Sequence, residues 1–328
     1  MSRFPVADFH CDLLCFLSRS PSHTPYDPAV RCAIPQLQQG NVRIQTLALF
    51  VETAPGSAVK GFLQAEIFGK LPEFYPQAFQ MLRSREAEQL PTHIKIIAAV
   101  ENSSAFCEED DAIEQVFLQL ERMISFTGKP AYVSLTWNSE NRFGGGAATD
   151  IGLKEDGKRL LEYLAAKQIP LDLSHASDRL SWAILEFFDK EGLAHPVVAS
   201  HSNLRAVAPV SRNLPDDLAR EIIKRKGVIG LNFFRPFVGE KADDFFRQID
   251  NLLRLGGADT LCFGADFFHD DDLSPKYRMA GLPFFPSFDN SSCYPTLLDS
   301  WEKEHSLPEP LLANIAYRNL TRFLAKIA

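Results

Sequence analysis

No apolar run in this sequence approaches the roughly 20 residues that a membrane-crossing helix requires, so no spanning segment is expected. The N-terminus lacks the apolar core and small-residue cleavage site of a secretory signal, and Met1 and Arg3 lead straight into the stretch Phe4 to Phe9. No CxxC pair occurs among Cys11, Cys15, Cys32, Cys107, Cys262 and Cys293, and a chain of 328 residues does not need a disulfide framework. Reduced thiols in a cytoplasmic protein are the expectation. Basic clusters are also missing: the formal charge is -8, with acids and bases mixed along the chain, which leaves no face for nucleic acid and no arm for anionic lipid. No GxGxxG follows a β-rich run, which argues against a dinucleotide fold. With no repeat, low-complexity stretch or linker, residues 1–328 read as a single domain.

What is present suits a folded enzyme. The chain is 45% hydrophobic and 23% charged, enough for one large core, with a small molecule as the default partner. Eight short β-rich runs recur: Phe4 to Asp12, Arg43 to Val51, Ile94 to Glu101, Ala131 to Trp137, Ile169 to Ser174, Pro196 to His201, Val228 to Phe233 and Thr260 to Asp266. Helical periodicity follows most of them, plainest at Asp111 to Phe126, Lys154 to Lys167, Arg179 to Glu191, Asp216 to Lys226, Ala242 to Leu255 and Pro310 to Ile327. Gly56 to Leu90 reads as an enlarged helical connection after the second strand, and the first crossover is less regular. Eight βα units over this length predict an α/β fold, a closed (β/α)8 TIM-like barrel.

The polar residues gather at the strand ends. Strand one ends in His10-Cys11-Asp12, strand three in Glu101, strands five and six run into His175 and His201, and strand eight ends in Asp266. In such a barrel these ends converge on one mouth, where active sites sit. Alternation places His10 and Asp12 on one face and turns Cys11 away. Taken alone, an HxD pair reads equally well as a hydrogen-bonded strand end, and a lone strand-end histidine reads more readily as structural. Together at one rim, so many ionisable groups are costly to bury unless a cation compensates. Imidazole and carboxylate suit zinc, with manganese, cobalt or iron as alternatives. With its two oxygens Glu101 can bridge one ion on His10 and Asp12 to another on His175 and His201, with a hydroxide between the ions as nucleophile. Asp266 is then free to carry the proton, or else serves as a further ligand or a helix cap.

The set His10-Cys11-Asp12, Glu101, Ser174-His175, Ser200-His201-Ser202-Asn203, Ser211 to Asp217 and Gly264-Ala265-Asp266-Phe267 resembles the membrane dipeptidase (renal dipeptidase) family of zinc peptidases. The likeness spans nearly the whole chain, including Ile34 to Gly40 with Gln45, and the end around Asn319 to Leu324. It implies a TIM-like barrel of the metallo-dependent hydrolase type, with two divalent zinc ions, that hydrolyses dipeptides. His10 and Asp12 would hold one ion, His175 and His201 the other, Glu101 both, with Asp266 as acid/base. It further implies that Arg212 receives the substrate's terminal carboxylate, a task its planar guanidinium suits. Without the resemblance Arg212 reads as a surface residue near a helix start. One departure stands out: Trp137 occupies the place of a family histidine that approaches the substrate carbonyl, so oxyanion support would pass to the metals or to Asn138. Relatives are commonly homodimers. Two alternatives remain open: a barrel amidohydrolase acting on an N-acyl amino acid or cyclic amide, and a metal-binding relative with impaired catalysis.

Overall fold

The computed structural model describes residues 3–82, 90–273, 277 and 281–327. Its strands are β1 (Val6–Asp8), β2 (Val42–Phe50), β3 (Phe79–Met81), β4 (Ile94–Glu101), β5 (Val133–Ser134), β6 (Leu171–Asp172), β7 (Val197–Val198), β8 (Ile229–Leu231) and β9 (Leu261–Phe263). All pair in parallel, in the order β7-β6-β5-β4-β2-β1-β9-β8. The two ends of that order meet where Ala199 bridges Ile229, and Gly230 N–H donates to Ala199 C=O at 2.8 Å, so the sheet closes on itself. A parallel closed sheet presents all its C-terminal ends at one rim, as expected from the sequence.

Each expected strand exists, and most are shorter than their β-rich runs. The cause is local. Asp172 Oδ1 accepts the backbone N–H of Ser174 at 3.0 Å and of Ser200 at 2.8 Å, and Asp8 Oδ1 does the same for His10 at 3.0 Å and Ala265 at 3.1 Å. Side-chain acceptors thus replace ladder carbonyls, and β1, β6, β7 and β9 stop beside them. The turn after Asp8 also resets side-chain parity. Ala7 and Phe9 both join the inner core, so strict alternation would have turned His10 outward; instead His10 faces inward and Cys11 packs in the outer core.

One strand was not anticipated. β3 lies inside the segment Gly56 to Leu90 expected to be helical, and pairs in parallel with the start of β4. The helical part of that segment is α3 (Ser57–Phe74); residues 83–89 lie outside the described residues. The first crossover consists of α1 (Leu13–Arg19) and α2 (Ile34–Gln39). The later helices α4 (Ile113–Thr127), α5 (Glu155–Ala166), α6 (Asp178–Lys190), α7 (Asp216–Lys224), α8 (Arg235–Val238) and α9 (Asp244–Arg254) follow the sequence periodicity closely, with α8 added. The expected terminal helix Pro310 to Ile327 is interrupted by a π-helical turn at Asn314–Arg318. Beyond it Leu320, Phe323, Leu324 and Ile327 plug the end of the barrel opposite the rim, against Ala7, Phe9, Ile44 and Tyr132. Among the described residues no helix is long and apolar enough to cross a membrane.

Two glycines let strands approach directly beneath the rim. A Cβ on Gly230 or on Gly264 would lie 1.9 Å from the Ser200 carbonyl oxygen, so only glycine lets β8 and β9 close against the backbone that carries His201.

Candidate active site

His10, Asp12, Glu101, His175, His201 and Asp266 all meet at the rim, and all are buried. Glu101 lies at the centre. Its Oε2 is 3.3 Å from His10 Nε2, and its Oε1 is 2.9 Å from His175 Nε2 and 3.6 Å from His201 Nε2. His10 Nε2 also faces Asp12 Oδ1 at 3.8 Å and Asp266 Oδ1 at 3.5 Å. Two ligand groupings result, His10 with Glu101 and His201, and His10 with Asp12 and Asp266, each with its donor atoms within 4.8 Å of one another. His175 and Asp266 adopt left-handed backbone conformations, at φ 67° and 62°, as does Asn102 beside Glu101 at φ 73°. For a non-glycine residue this conformation is uncommon and tends to mark functional sites.

Hydrogen bonds outside the cluster assign the imidazole tautomers. Ser200 Oγ lies 2.6 Å from Asp172 Oδ2 and must donate to it, because a carboxylate only accepts. Its lone pairs then face His201 Nδ1 at 2.7 Å, which therefore carries the hydrogen. Asn138 Oδ1 accepts from His175 Nδ1 at 2.9 Å. Tyr132 accepts from His10 Nδ1 at 2.6 Å while its hydroxyl donates to the Phe9 carbonyl at 3.4 Å. All three rings consequently turn Nε2 toward Glu101. Among the described residues Asp12 Oδ1 is buried without a hydrogen-bond partner, His10 Nε2 has only the carboxylates around it, and the Nε2 atoms of His175 and His201 face each other at 3.0 Å. An unpartnered carboxylate oxygen, an imidazole nitrogen ringed by carboxylates and two opposed lone pairs fit cation ligands whose outer hydrogen bonds fix ring orientation.

The electrostatics of the cluster agree. Burial disfavours charge on His10, but the carboxylates of Glu101, Asp12 and Asp266 outweigh it and raise the imidazole to about 10. Burial, Arg212 and the other imidazoles act the opposite way on His175, lowered to about 4, and on His201, held well below its ordinary value. Glu101 stays ionised: burial would raise it, yet His10 and His175 hold it well below the usual carboxylate range. Burial together with the neighbouring carboxylates pushes Asp12 well up and lifts Asp266 to about 6. The three carboxylates draw positive charge into the rim, and a bound cation would take the place of the His10 proton.

A pocket of about 100 Å³ opens beside Asp12, Glu101, His175 and Asp266, with Phe50, Trp137, Phe234, Phe237 and Phe268 among its walls. That volume admits a small molecule and no folded partner. Trp137 packs on Phe50 and His175, at ring-centroid distances of 5.1 and 5.8 Å, and Asn138 is turned toward His175. Arg212 does not line the pocket. Its guanidinium donates to Ser202 Oγ at 2.9 Å and the His201 carbonyl at 3.0 Å, and it lies 5.5 Å from the Phe237 ring. Among the described residues its buried Nε has no hydrogen-bond partner. The loop Asn141 to Gly146 sits outside the pocket lining, whereas Phe268 of the loop after strand eight contributes to it.

The model of the membrane dipeptidase family, peptidase family M19, matches residues 1–328. The chain belongs to this family. Among solved structures, the dipeptidase AC, described as a metallopeptidase of family M19, superposes with a TM-score of 0.80 at 22% identity, covering 98% of both chains. A metallopeptidase from Rhodobacter sphaeroides, liganded with a phosphinate mimic of the dipeptide L-Ala-D-Ala, gives a TM-score of 0.79 at 22% identity, also over 98% of each. At these identities the likeness establishes the shared fold. A protein in the pqqA 5′ region of Klebsiella pneumoniae is 33% identical over 163 residues, 45% of this chain, and the chain spans 58% of that relative's length.

Within this M19 chain several residues of the rim escaped the sequence reading. Asn232, directly after β8, donates from Nδ2 to Asp266 Oδ2 at 2.8 Å. Asp172 closes β6, Ser200 directly precedes His201, and Tyr132 directly precedes β5. The available signal was a polar residue at each remaining strand end; the partner of each was not visible in one dimension.

Proposed function

We propose that this single-domain M19 chain is a metal-dependent dipeptidase working with two divalent ions, zinc by the nature of its donors. The observation that carries the reading is Glu101: its two oxygens face different imidazoles, Oε2 toward His10 and Oε1 toward His175 and His201. In this reading His10 and Asp12 hold one ion, His175 and His201 the other, and Glu101 both. When bound, such a pair supplies a water ionised to hydroxide near neutral pH, the nucleophile for an amide carbonyl. Asp266, raised toward neutrality and anchored by Asn232, takes and returns the proton. Arg212 receives the substrate's terminal carboxylate after displacement of Phe237, and Trp137 packs against the substrate. The side-chain NH2 of Asn138 has no protein partner among the described residues, which leaves it available to the carbonyl oxygen. All six cysteines are free, in keeping with a reducing, cytoplasmic setting.

The test is elemental analysis of the purified protein together with a panel of dipeptides run beside N-acyl amino acids and cyclic amides. Two equivalents of metal and preferential dipeptide cleavage are expected. Cleavage of the N-acyl compounds alone transfers the reading to another amidohydrolase, and absence of turnover on every substrate removes it.

A further inference from the structure

Asp172 is a fully buried carboxylate that touches neither the pocket nor any of the six clustered side chains directly. Four donors surround it. Oδ1 accepts two backbone N–H groups, from Ser174 at 3.0 Å and Ser200 at 2.8 Å; Oδ2 accepts two hydroxyls, from Ser134 at 3.0 Å and Ser200 at 2.6 Å. The two oxygens are therefore unlike: one terminates backbone ladders, and the other orients hydroxyl groups.

The second of these hydroxyls stands between Asp172 and His201, whose Nδ1 is 2.7 Å away. We propose that Asp172 is a positioning residue which, through Ser200, sets the tautomer of His201, placing the hydrogen on Nδ1 and leaving Nε2 as the atom turned toward Glu101. The tautomer assignment rests on this hydrogen-bond chain alone; its use in holding a metal rests on the dipeptidase reading.

The arrangement makes Asp172→Asn a directional test. The two backbone N–H groups require an acceptor, so the new amide oxygen stays at the Oδ1 position and the amide nitrogen takes the place of Oδ2. Its two hydrogens then point at Ser134 Oγ and Ser200 Oγ. Ser200, now receiving a hydrogen bond where it had donated one, turns its own hydroxyl hydrogen to His201 Nδ1. The neutral imidazole keeps one hydrogen, relocated to Nε2, where it points at Glu101 Oε1 and blocks coordination.

Nitrogen-15 NMR of the imidazoles in metal-free protein above pH 7 reads the tautomer, and competition with a chromogenic chelator reads zinc affinity. The wild type should show Nδ1–H at His201. Asp172→Asn should show Nε2–H and lose about 10- to 100-fold in zinc affinity, the range usual for outer partners of a ligand histidine. Ser200→Ala alone should lose less. The double variant should regain affinity relative to Asp172→Asn, because the hydroxyl that imposes the wrong tautomer is gone. A merely structural role would make the double variant worse than either single one. An Nε2–H signal in the wild type, retention of Nδ1–H in Asp172→Asn, or a double variant weaker than Asp172→Asn overturns the inference. Failure of wild-type protein to take up zinc counts against the dipeptidase reading alone, and the metal-free spectrum still decides the tautomer. Should Asp172→Asn fail to fold, the wild-type and Ser200→Ala spectra decide it.

Discussion

The Nε2 atoms of His175 and His201 lie 3.0 Å apart while the Nδ1 of each ring donates outward, to Asn138 and Ser200 respectively. Two lone pairs face each other at a distance suited to a shared cation and unfavourable without one. Zinc should therefore stabilise the protein as well as activate it. At about 1,000 times its dissociation constant, a ligand specific to the native state adds about 4 kcal/mol. Calorimetric melting with zinc and after chelation checks this, together with loss and recovery of activity; a melting temperature indifferent to zinc would speak against the site.

Asp266 tolerates one informative change. Its backbone is left-handed, at φ 62°, a conformation that asparagine adopts readily, so Asp266→Asn should fit without strain. Metal content should remain at the wild-type level and turnover should drop by about 10²- to 10⁴-fold, the usual contribution of a positioned acid/base group. Elemental analysis and kcat measured on the same preparation make the comparison. Full turnover would remove Asp266 from the proton path.

Arg212 sits behind Phe237, with Nε unpartnered and its other nitrogens donating to Ser202 and the His201 carbonyl. In Arg212→Met the KM for dipeptides should rise about 10- to 100-fold, the value of a charged hydrogen bond, with a much smaller change for the corresponding C-terminal amides. Arg212→Lys should not restore the wild-type value, since an ammonium cannot pair bidentately. Equal losses on acids and amides would show that Arg212 supports the rim and binds no carboxylate.

His195 bears on stability. Burial holds its imidazole down to about 4, against the hydrogen bond that the ring donates to the Ile169 backbone carbonyl and with help from Lys129, and among the described residues its Nε2 has no partner. A histidine depressed on folding must charge on unfolding in acid, so its stabilisation is complete above about pH 6.5 and is lost as pH falls from there toward 4. The loss amounts to about 3 kcal/mol. Denaturant unfolding of wild type and His195→Phe between pH 7 and pH 4 should show a shallower slope in the variant; parallel slopes would refute the assignment.

How much of the site was legible depends on the residue. His10, Asp12, Glu101, His175, His201 and Asp266 stood out because each closes an apolar run, and a parallel barrel brings such ends together. Alternation from His10 to Asp12 puts both on one face and Cys11 on the other, as the sequence indicates, but it is the turn after Asp8 that makes that face the inner one. Asn138 was expected at the substrate carbonyl, and its oxygen is engaged with His175. β3 was hidden in a segment of helical composition, since three residues paired along a neighbour's edge carry no periodic signal of their own.

By itself the sequence determined the barrel and the identity of the six clustered side chains, because hydrophobic periodicity and polar strand ends are local patterns that survive in one dimension, and its motifs carried the family resemblance. The tertiary structure alone decided which oxygen of Glu101 faces which imidazole, which ring nitrogen carries the hydrogen, and that Arg212 lies behind Phe237. Those outcomes depend on distances of about 3 Å between residues far apart in the chain, where hydrogen-bond direction and packing select one arrangement among many with the same composition.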